Sequence, residues 1–176
     1  MKKIILLGII CSGLYLLIFR GCYYYDNKKA VTYIENNFNS KSKSMCAWYV
    51  MKAIRKGGCY NCYIYPAYAY NDILIQLGFK EISLQNYSPI KGDISVLPAN
   101  SHSPFGHIAI YNGKYWISDF KQNSIYPGSS YRKVQTYQIF RITDGWHHSH
   151  LQFNLSNTIK YLRTLKKGYK RIKILD

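Results

Sequence analysis

The stretch HIAIYNGKYWISDF, residues 107–120, limits the possible fold of this chain more than any other feature. Two runs rich in β-branched and aromatic residues flank Asn112-Gly113, and an Asn-Gly pair between such runs is the strongest short-range signal for a β-hairpin. Further strands are predicted over residues 93–97 and 137–142. The second half of the chain therefore predicts an antiparallel sheet.

A helix is predicted ahead of these strands, over residues 45–56. Its apolar side chains recur at helical spacing and share one face; they are Ala47, Val50, Met51 and Ile54. Ser44 is a suitable N-cap residue, and Gly57-Gly58 is a suitable stop. A second, shorter helix is predicted over residues 68–78. Helices followed by an antiparallel sheet predict the fold class α+β.

The chain begins with two lysines and then sixteen uncharged, mostly apolar residues, 4–19. This pattern is typical of a bacterial export signal, and the segment could also remain as an uncleaved membrane anchor. We therefore expect a membrane-associated or exported protein that faces the periplasm. The predicted organisation is a signal peptide or anchor over 1–22, a linker with one short helix over 23–43, one folded domain over 44–143 and a basic extension over 144–176.

Five cysteines occur, at positions 11, 22, 46, 59 and 62. Export would place the cysteines beyond the leader in an oxidising space, where disulfides persist. Cys59 and Cys62 could then close a small disulfide loop or remain two free thiols, and Cys22 could carry a lipid. Zinc would need two more ligands at suitable spacing, so no metal and no cofactor is predicted. Cys46 is left as the odd thiol.

Cys46 lies in the first turn of the predicted helix. The backbone N–H groups there have no partner within the helix, and together with the helix dipole they favour the thiolate, which is the nucleophilic form. The same N–H groups could hold an oxyanion on a substrate carbonyl. His107 starts a predicted strand and is the candidate base, and the predicted hairpin places Asp119 opposite it to orient the ring. The simpler alternative for Cys46 is a buried structural cysteine.

The charge balance is strongly basic, with 24 Lys and Arg against 8 acidic residues and a net charge of +16. Such a balance favours anionic partners, namely cell-wall polymers or an anionic membrane surface. The basic residues are densest after position 160, in a predicted surface helix. Nucleic acid is not expected, because no recognition motif is present. Three histidines at 147, 148 and 150 are interpreted as an exposed turn and not as a metal site.

Residues 42–141 resemble the papain-like cell-wall amidases of the NlpC and CHAP type. Within that group they are most similar to the second subfamily of type VI secretion amidase effectors. The resemblance rests on the segments KSMCAWYVMKAIRKGG, AYAYNDILIQLGF, KGDISVLPA, FGHIAIYNGKYWISDFKQ, IYPGSSYR and YQIF. The Gly-Asp before a strand and the Gly-His-Ile-Ala pattern are its most specific parts.

The resemblance implies a papain-like fold and a cysteine amidase that cuts peptide crosslinks of peptidoglycan. It assigns Cys46 as nucleophile, His107 as base and Asp119 as the third member. Candidate substrate contacts are Ser44, Trp48, His102 and Gln122. An inhibitory partner of the immunity type is a further expectation.

Two alternatives remain open from the sequence. One is a non-catalytic, membrane-anchored binding protein of the envelope that keeps the same scaffold. The other is an acyl or amide transferase that uses the same residues. The leader also favours a resident envelope enzyme or a lysis protein over an injected toxin.

Overall fold

The computed structural model describes residues 21–22, 24–60 and 66–146. The predictions for residues 1–20 of the leader, Cys62, the histidines at 147–150 and the basic tail fall outside these residues. Gly21 and Cys22, the last two residues of the predicted leader, are described and belong to the folded domain. Within the described ranges, no helix has the length and apolar character needed to cross a membrane.

One antiparallel sheet of six strands forms the centre of the domain, in the order β4-β9-β5-β6-β7-β8. Two short strand pairs, β1 with β3 and β2 with β10, lie outside it. The strands are β1 (Gly21–Cys22), β2 (Tyr24–Tyr25), β3 (Cys59–Tyr60), β4 (Lys80–Ile82), β5 (Ile94–Leu97), β6 (His107–Tyr111), β7 (Trp116–Ile117), β8 (Lys121–Gln122), β9 (Gln138–Arg141) and β10 (Gly145–Trp146). The predicted class, α+β, is confirmed.

Four α-helices accompany the sheet in the described part of the chain. They are α1 (Asn27–Glu35), α2 (Cys46–Lys56), α3 (Tyr70–Gln76), which follows a 3₁₀ turn at Ala67–Ala69, and α4 (Ser129–Val134). Helix α2 packs on both α1 and β6, so the helix predicted to carry the cysteine lies directly against the strand that carries the histidine. The second predicted helix, 68–78, is present as α3 and the turn before it.

Successive side chains of β6 point to opposite faces of the sheet and contact two different apolar clusters. Ile108 and Ile110 face the main core together with the buried face of α2, whereas Ala109 faces a smaller cluster with Trp116 and Ile139. The apolar face predicted for α2 is buried as expected: Ala47, Val50, Met51 and Ile54. The core therefore lies between the helices and one face of the sheet.

Helix α1 lies within the segment that the sequence predicts as a linker. Asp26 caps it by accepting a hydrogen bond from the Lys29 backbone N–H at 2.9 Å. Its buried residues are Ala30, Val31 and Ile34, and all three belong to the main core. This segment thus contributes to the packing that supports α2.

The hairpin between β6 and β7 is present, but its turn is longer than predicted. Tyr111 pairs with Trp116, so the connection comprises residues 112–115 and not Asn112-Gly113 alone. The Asn112 side chain explains the length, because its Oδ1 accepts hydrogen bonds from the N–H groups of Lys114 and Tyr115 at 2.9 and 2.7 Å. The register differs by one residue from the prediction, and Asp119 is therefore not the cross-strand partner of His107.

Cys59 forms a disulfide with Cys22, so the suggested pairing of Cys59 with Cys62 is wrong. The reason is the strand pair β1–β3, in which Cys22 lies directly opposite Cys59 with 4.0 Å between the Cα atoms. Both cysteines are fully buried in the main core. The bond spans 37 residues and thereby encloses α1 and α2 in one covalent loop.

Replacing both cysteines, in a Cys22→Ser/Cys59→Ser variant, should lower the free energy of unfolding by about 3–4 kcal/mol, because the unfolded chain regains the entropy of an open loop of this length. Urea unfolding under oxidising conditions measures the change. Cys46→Ser is the matched control, since it removes a cysteine but keeps the bond. Equal unfolding free energies for the double variant and the control would contradict the disulfide.

Candidate active site

Cys46 is the first residue of α2, as predicted, but the N-cap differs. The cap residue is Met45, and no side chain caps the helix. Ser44 has a left-handed backbone with φ +57°, which turns the chain sharply before the helix begins. The prediction that Ser44 caps the helix is therefore wrong.

The side chain of Asp119 stabilises this turn. Asp119 is fully buried, and its Oδ2 accepts hydrogen bonds from the backbone N–H groups of Lys43 at 2.6 Å and Met45 at 3.2 Å. The Ser42 hydroxyl donates to the same oxygen at 3.2 Å, and the Ser118 hydroxyl donates to Oδ1 at 3.1 Å. Asp119 sits in the bend between β7 and β8, so its carboxylate fastens the turn before Cys46 to the sheet.

Asp119 was predicted to orient His107, but its hydrogen bonds reach the turn at 42–45 instead. Gln122 is the residue that contacts the ring: its side-chain amide lies 2.8 Å from His107 Nε2 and donates to the Ser118 hydroxyl at 3.2 Å. Burial lowers the pKa of the imidazole, and the negative charge of Asp119 opposes this lowering through space. Gln122 lies in β8 opposite Trp116 of β7, and its side chain reaches the ring from there, whereas Asp119 lies in the bend between the two strands.

His107 is held at the start of β6 by its surroundings. Leu97 lies opposite it in β5, and the rings of Phe120 and Tyr131 each have their centres 6.2 Å from the imidazole centre. Gly106, just before it, has φ +69°, and a Cβ atom there would approach the Leu97 carbonyl oxygen to 2.5 Å. This glycine allows the chain to enter the strand closely enough to present the histidine.

One cleft of about 380 Å³ brings Cys46 and His107 together, since both residues line it. Two predicted substrate contacts, Ser44 and His102, also line this cleft. The other two do not: Trp48 packs beside the core with the Lys52 ammonium 4.4 Å from its ring centre, and Gln122 contacts His107. The remaining lining residues include Ser42, Ser103, Phe105, Pro127, Ser130 and Tyr131.

Burial controls the ionisation of the cysteine. It raises the pKa of the Cys46 thiol to about 11, and the charge of Asp119 adds to this effect. Hydrogen bonds from the N–H groups of Ile108, Ala47 and Cys46 lower the pKa but do not overcome burial. This shift runs against the expectation that the start of the helix leaves a resting thiolate.

Burial also lowers the pKa of His107 to about 4, against the opposing effects of Asp119 and Gln122. At neutral pH the pair is consequently an uncharged thiol and an uncharged imidazole. In such a pair, the base removes the proton as the sulfur attacks.

In the described part of the chain, no three His, Cys, Asp or Glu side chains cluster as metal ligands would.

No family model matches this chain, and no curated protein matches it. Solved structures do match it. A chain in the crystal structure of the type VI native effector-immunity complex Tae3-Tai3 from Ralstonia pickettii is 39% identical, with a TM-score of 0.64; the match covers 68% of this chain and 100% of that chain. A selenomethionine structure of the same complex matches at 40% identity and a TM-score of 0.59, over 63% of this chain and 97% of that chain.

The fold is thus that of a type VI effector. With 39% identity over the full length of the matched chain, this chain belongs to the Tae3 family. The resemblance to type VI effectors is confirmed at this level, although the matched structures carry the name Tae3 and the sequence suggested the second subfamily.

An Asp119→Ala variant should lose about 3 kcal/mol of unfolding free energy, because two backbone N–H groups and two hydroxyl groups lose their charged acceptor. Urea unfolding measures the loss. Asp144→Ala is the matched control, since Asp144 is exposed and accepts one backbone hydrogen bond, from Asn27. Similar losses in both variants would show that Asp119 does not hold the turn.

Alkylation of Cys46 by iodoacetamide should be slow at pH 7, about a hundredfold slower than in the urea-unfolded chain, since its pKa is raised from 9.0 to about 11. The rate should rise roughly tenfold per pH unit up to that pKa, because only the thiolate reacts. Mass spectrometry of the labelled peptides separates Cys46 from the other cysteines. A fast rate that is constant between pH 6 and 9 would instead indicate a resting thiolate–imidazolium pair.

Proposed function

We propose that this chain is a cysteine amidase that hydrolyses peptide bonds of peptidoglycan, with a papain-like arrangement of the NlpC and CHAP type. The observation that carries the proposal is the shared cleft, which is lined both by a cysteine at a helix start and by a histidine at a strand start. Membership of a family whose solved structures are effector–immunity complexes supports it.

Cys46 acts as the nucleophile and His107 as the base. The sulfur attacks the amide carbonyl while the imidazole accepts the thiol proton, so the ion pair forms only during the reaction. The imidazolium then returns this proton to the leaving amine as the C–N bond breaks and a thioester remains. Water, activated by the same imidazole, hydrolyses the thioester and restores the thiol.

Gln122 positions the base. For His107 to accept a proton on Nδ1, its Nε2 has to carry a hydrogen, and an acceptor facing Nε2 favours that tautomer. A half-turn of the Gln122 amide supplies the acceptor, because Oε1 then occupies the place 2.8 Å from Nε2. In the described orientation Oε1 is buried without a hydrogen-bond partner; the half-turn gives it one and moves the amide nitrogen away from the Ser118 hydroxyl. Asp119 supports the nucleophile instead, through the turn at 42–45.

The chemistry of the chain fits a substrate in the periplasm. A net charge of +16 favours an anionic polymer such as peptidoglycan, and a buried disulfide persists in an oxidising compartment. We further propose that an immunity-type protein blocks the cleft, as the matched effector–immunity structures suggest.

Release of soluble peptide fragments from purified sacculi tests the proposal. Cys46→Ala and His107→Ala should each reduce the release by at least about 10²-fold, the usual contribution of a positioned base or nucleophile. Gln122→Leu should reduce it less, because the ring keeps its chemistry and loses only its orientation. Lys80→Ala is the control, since Lys80 is exposed on β4 and does not line the cleft.

Undiminished release by Cys46→Ala would overturn the amidase proposal. The transferase alternative predicts a different product when a free amine is added to the reaction. The released fragments would then end in an amide formed with that amine and not in a free carboxyl group.

A further inference from the structure

A second, smaller cavity adjoins the cleft that Cys46 and His107 line. This side cavity has a volume of about 170 Å³. Its lining residues come from the turn at 100–103 and from helix α4; they are Asn100, Ser101, His102, Ser129, Ser130 and Lys133. His102 and Ser130 line the main cleft as well, so the two cavities meet at these residues. The proposed reaction uses none of the residues of the side cavity.

The turn at 100–103 forms one wall of the side cavity and is held by its own hydrogen bonds. The backbone N–H groups of Asn100 and Ser103 each donate to the carbonyl oxygen of the other residue, both at 3.1 Å. The Asn100 side-chain oxygen accepts from the N–H groups of His102 and Ser103, both at 2.9 Å. Such bonds stabilise a turn locally, so this wall is formed before a ligand binds.

Helix α4 forms the opposite wall. Lys133 follows Ser129 by four positions and Ser130 by three, so the three residues lie on one side of the helix. Ser129 and Lys133 are exposed. Among the residues that the structure describes, no carboxylate forms an ion pair with Lys133. Its flexible four-carbon stem lets the ammonium reach a ligand in the side cavity.

The charge of the side cavity indicates the class of ligand. Among the described residues, no acidic side chain lines this cavity or the main cleft, whereas Lys133 brings a positive charge. An ammonium offers three donors and no acceptor, and serine hydroxyls can donate as well. A carboxylate satisfies such donors better than a neutral group does, because its charge-assisted hydrogen bonds are stronger. A peptide substrate supplies carboxylates at its C-terminus and on acidic side chains.

We propose that the side cavity binds a free carboxylate of the peptide whose amide bond is cut in the main cleft. The Lys133 ammonium forms an ion pair with this carboxylate, and the hydroxyls of Ser129 and Ser130 donate hydrogen bonds to it. The inference rests on the proposed amidase function and adds a specificity-determining residue to it. Because Lys133 contacts the substrate away from the reacting bond, it contributes to substrate binding and not to the chemical step.

A Lys133→Ala variant removes the charge of the side cavity. On soluble crosslinked muropeptides with free carboxyl groups, KM should rise about fivefold with little change in kcat, as when one partly exposed ion pair is lost from ground state and transition state alike. Lys133→Arg should restore most of the affinity, since it keeps the charge.

Matching muropeptides identify the bound carboxylate. One carries an amide at the C-terminal carboxyl group, and another carries an amide at the side-chain carboxyl group. Lys133→Ala should leave KM unchanged for the muropeptide whose amide replaces the bound carboxylate. An equal rise in KM on all three substrates would overturn the subsite, and so would an unchanged KM on the free carboxylate.

Arg132→Ala is the matched control. Arg132 is exposed on the same helix and carries the same charge, but it lines neither cavity. Its removal should therefore leave KM unchanged on every substrate. If Arg132→Ala raises KM as much as Lys133→Ala does, general attraction by a basic surface explains the effect and the subsite is overturned.

Binding without turnover separates the subsite from the amidase function. Calorimetric titration of the same muropeptides into Cys46→Ala should give an affinity about fivefold higher than into Cys46→Ala/Lys133→Ala, for the free carboxylate alone. Equal affinities would overturn the subsite. A wild-type enzyme that cuts none of the muropeptides, with binding that still depends on Lys133, would overturn the amidase function and leave the carboxylate subsite in place.

Discussion

The buried carboxylate of Asp119 is the interaction on which the geometry of the cleft depends. It lies in the bend between β7 and β8 and accepts hydrogen bonds from the turn before α2. The carboxylate thereby joins the helix that carries Cys46 to the sheet that carries His107. A buried carboxylate needs several hydrogen-bond donors. The left-handed conformation of Ser44 turns the chain so that backbone N–H groups at 43–45 point towards the Asp119 side chain.

Burial has a second effect, on the charge states of Cys46 and His107. The same packing that fixes Cys46 and His107 keeps both uncharged, with pKa values near 11 and 4. In the proposed reaction the sulfur becomes strongly nucleophilic only when its proton moves to the imidazole. Under that proposal the thiol reacts slowly with small electrophiles until an amide occupies the cleft.

The elements of the fold were predictable because their signals are local. The helical spacing of apolar residues located the buried face of α2, and the Asn-Gly pair located the hairpin. The register was not predictable, because the Asn112 side chain stabilises a four-residue connection where a two-residue turn was expected. Asp119 consequently bonds to the turn before α2, and Gln122 is the residue that contacts His107. The cysteine and histidine of the cleft could be proposed from residue type and position, whereas the Gln122–His107 contact and the Cys22–Cys59 bond depend on contacts between distant segments.

The Cys22–Cys59 bond affects how the folded domain responds to cleavage by proteases. Residues 40–45 are exposed and include Lys41 and Lys43, which offer cleavage sites immediately before the nucleophile. Since both lysines lie inside the covalent ring, a single cut there leaves the two fragments bonded to each other. Helix α1 and helix α2 remain tethered and can stay packed together after nicking.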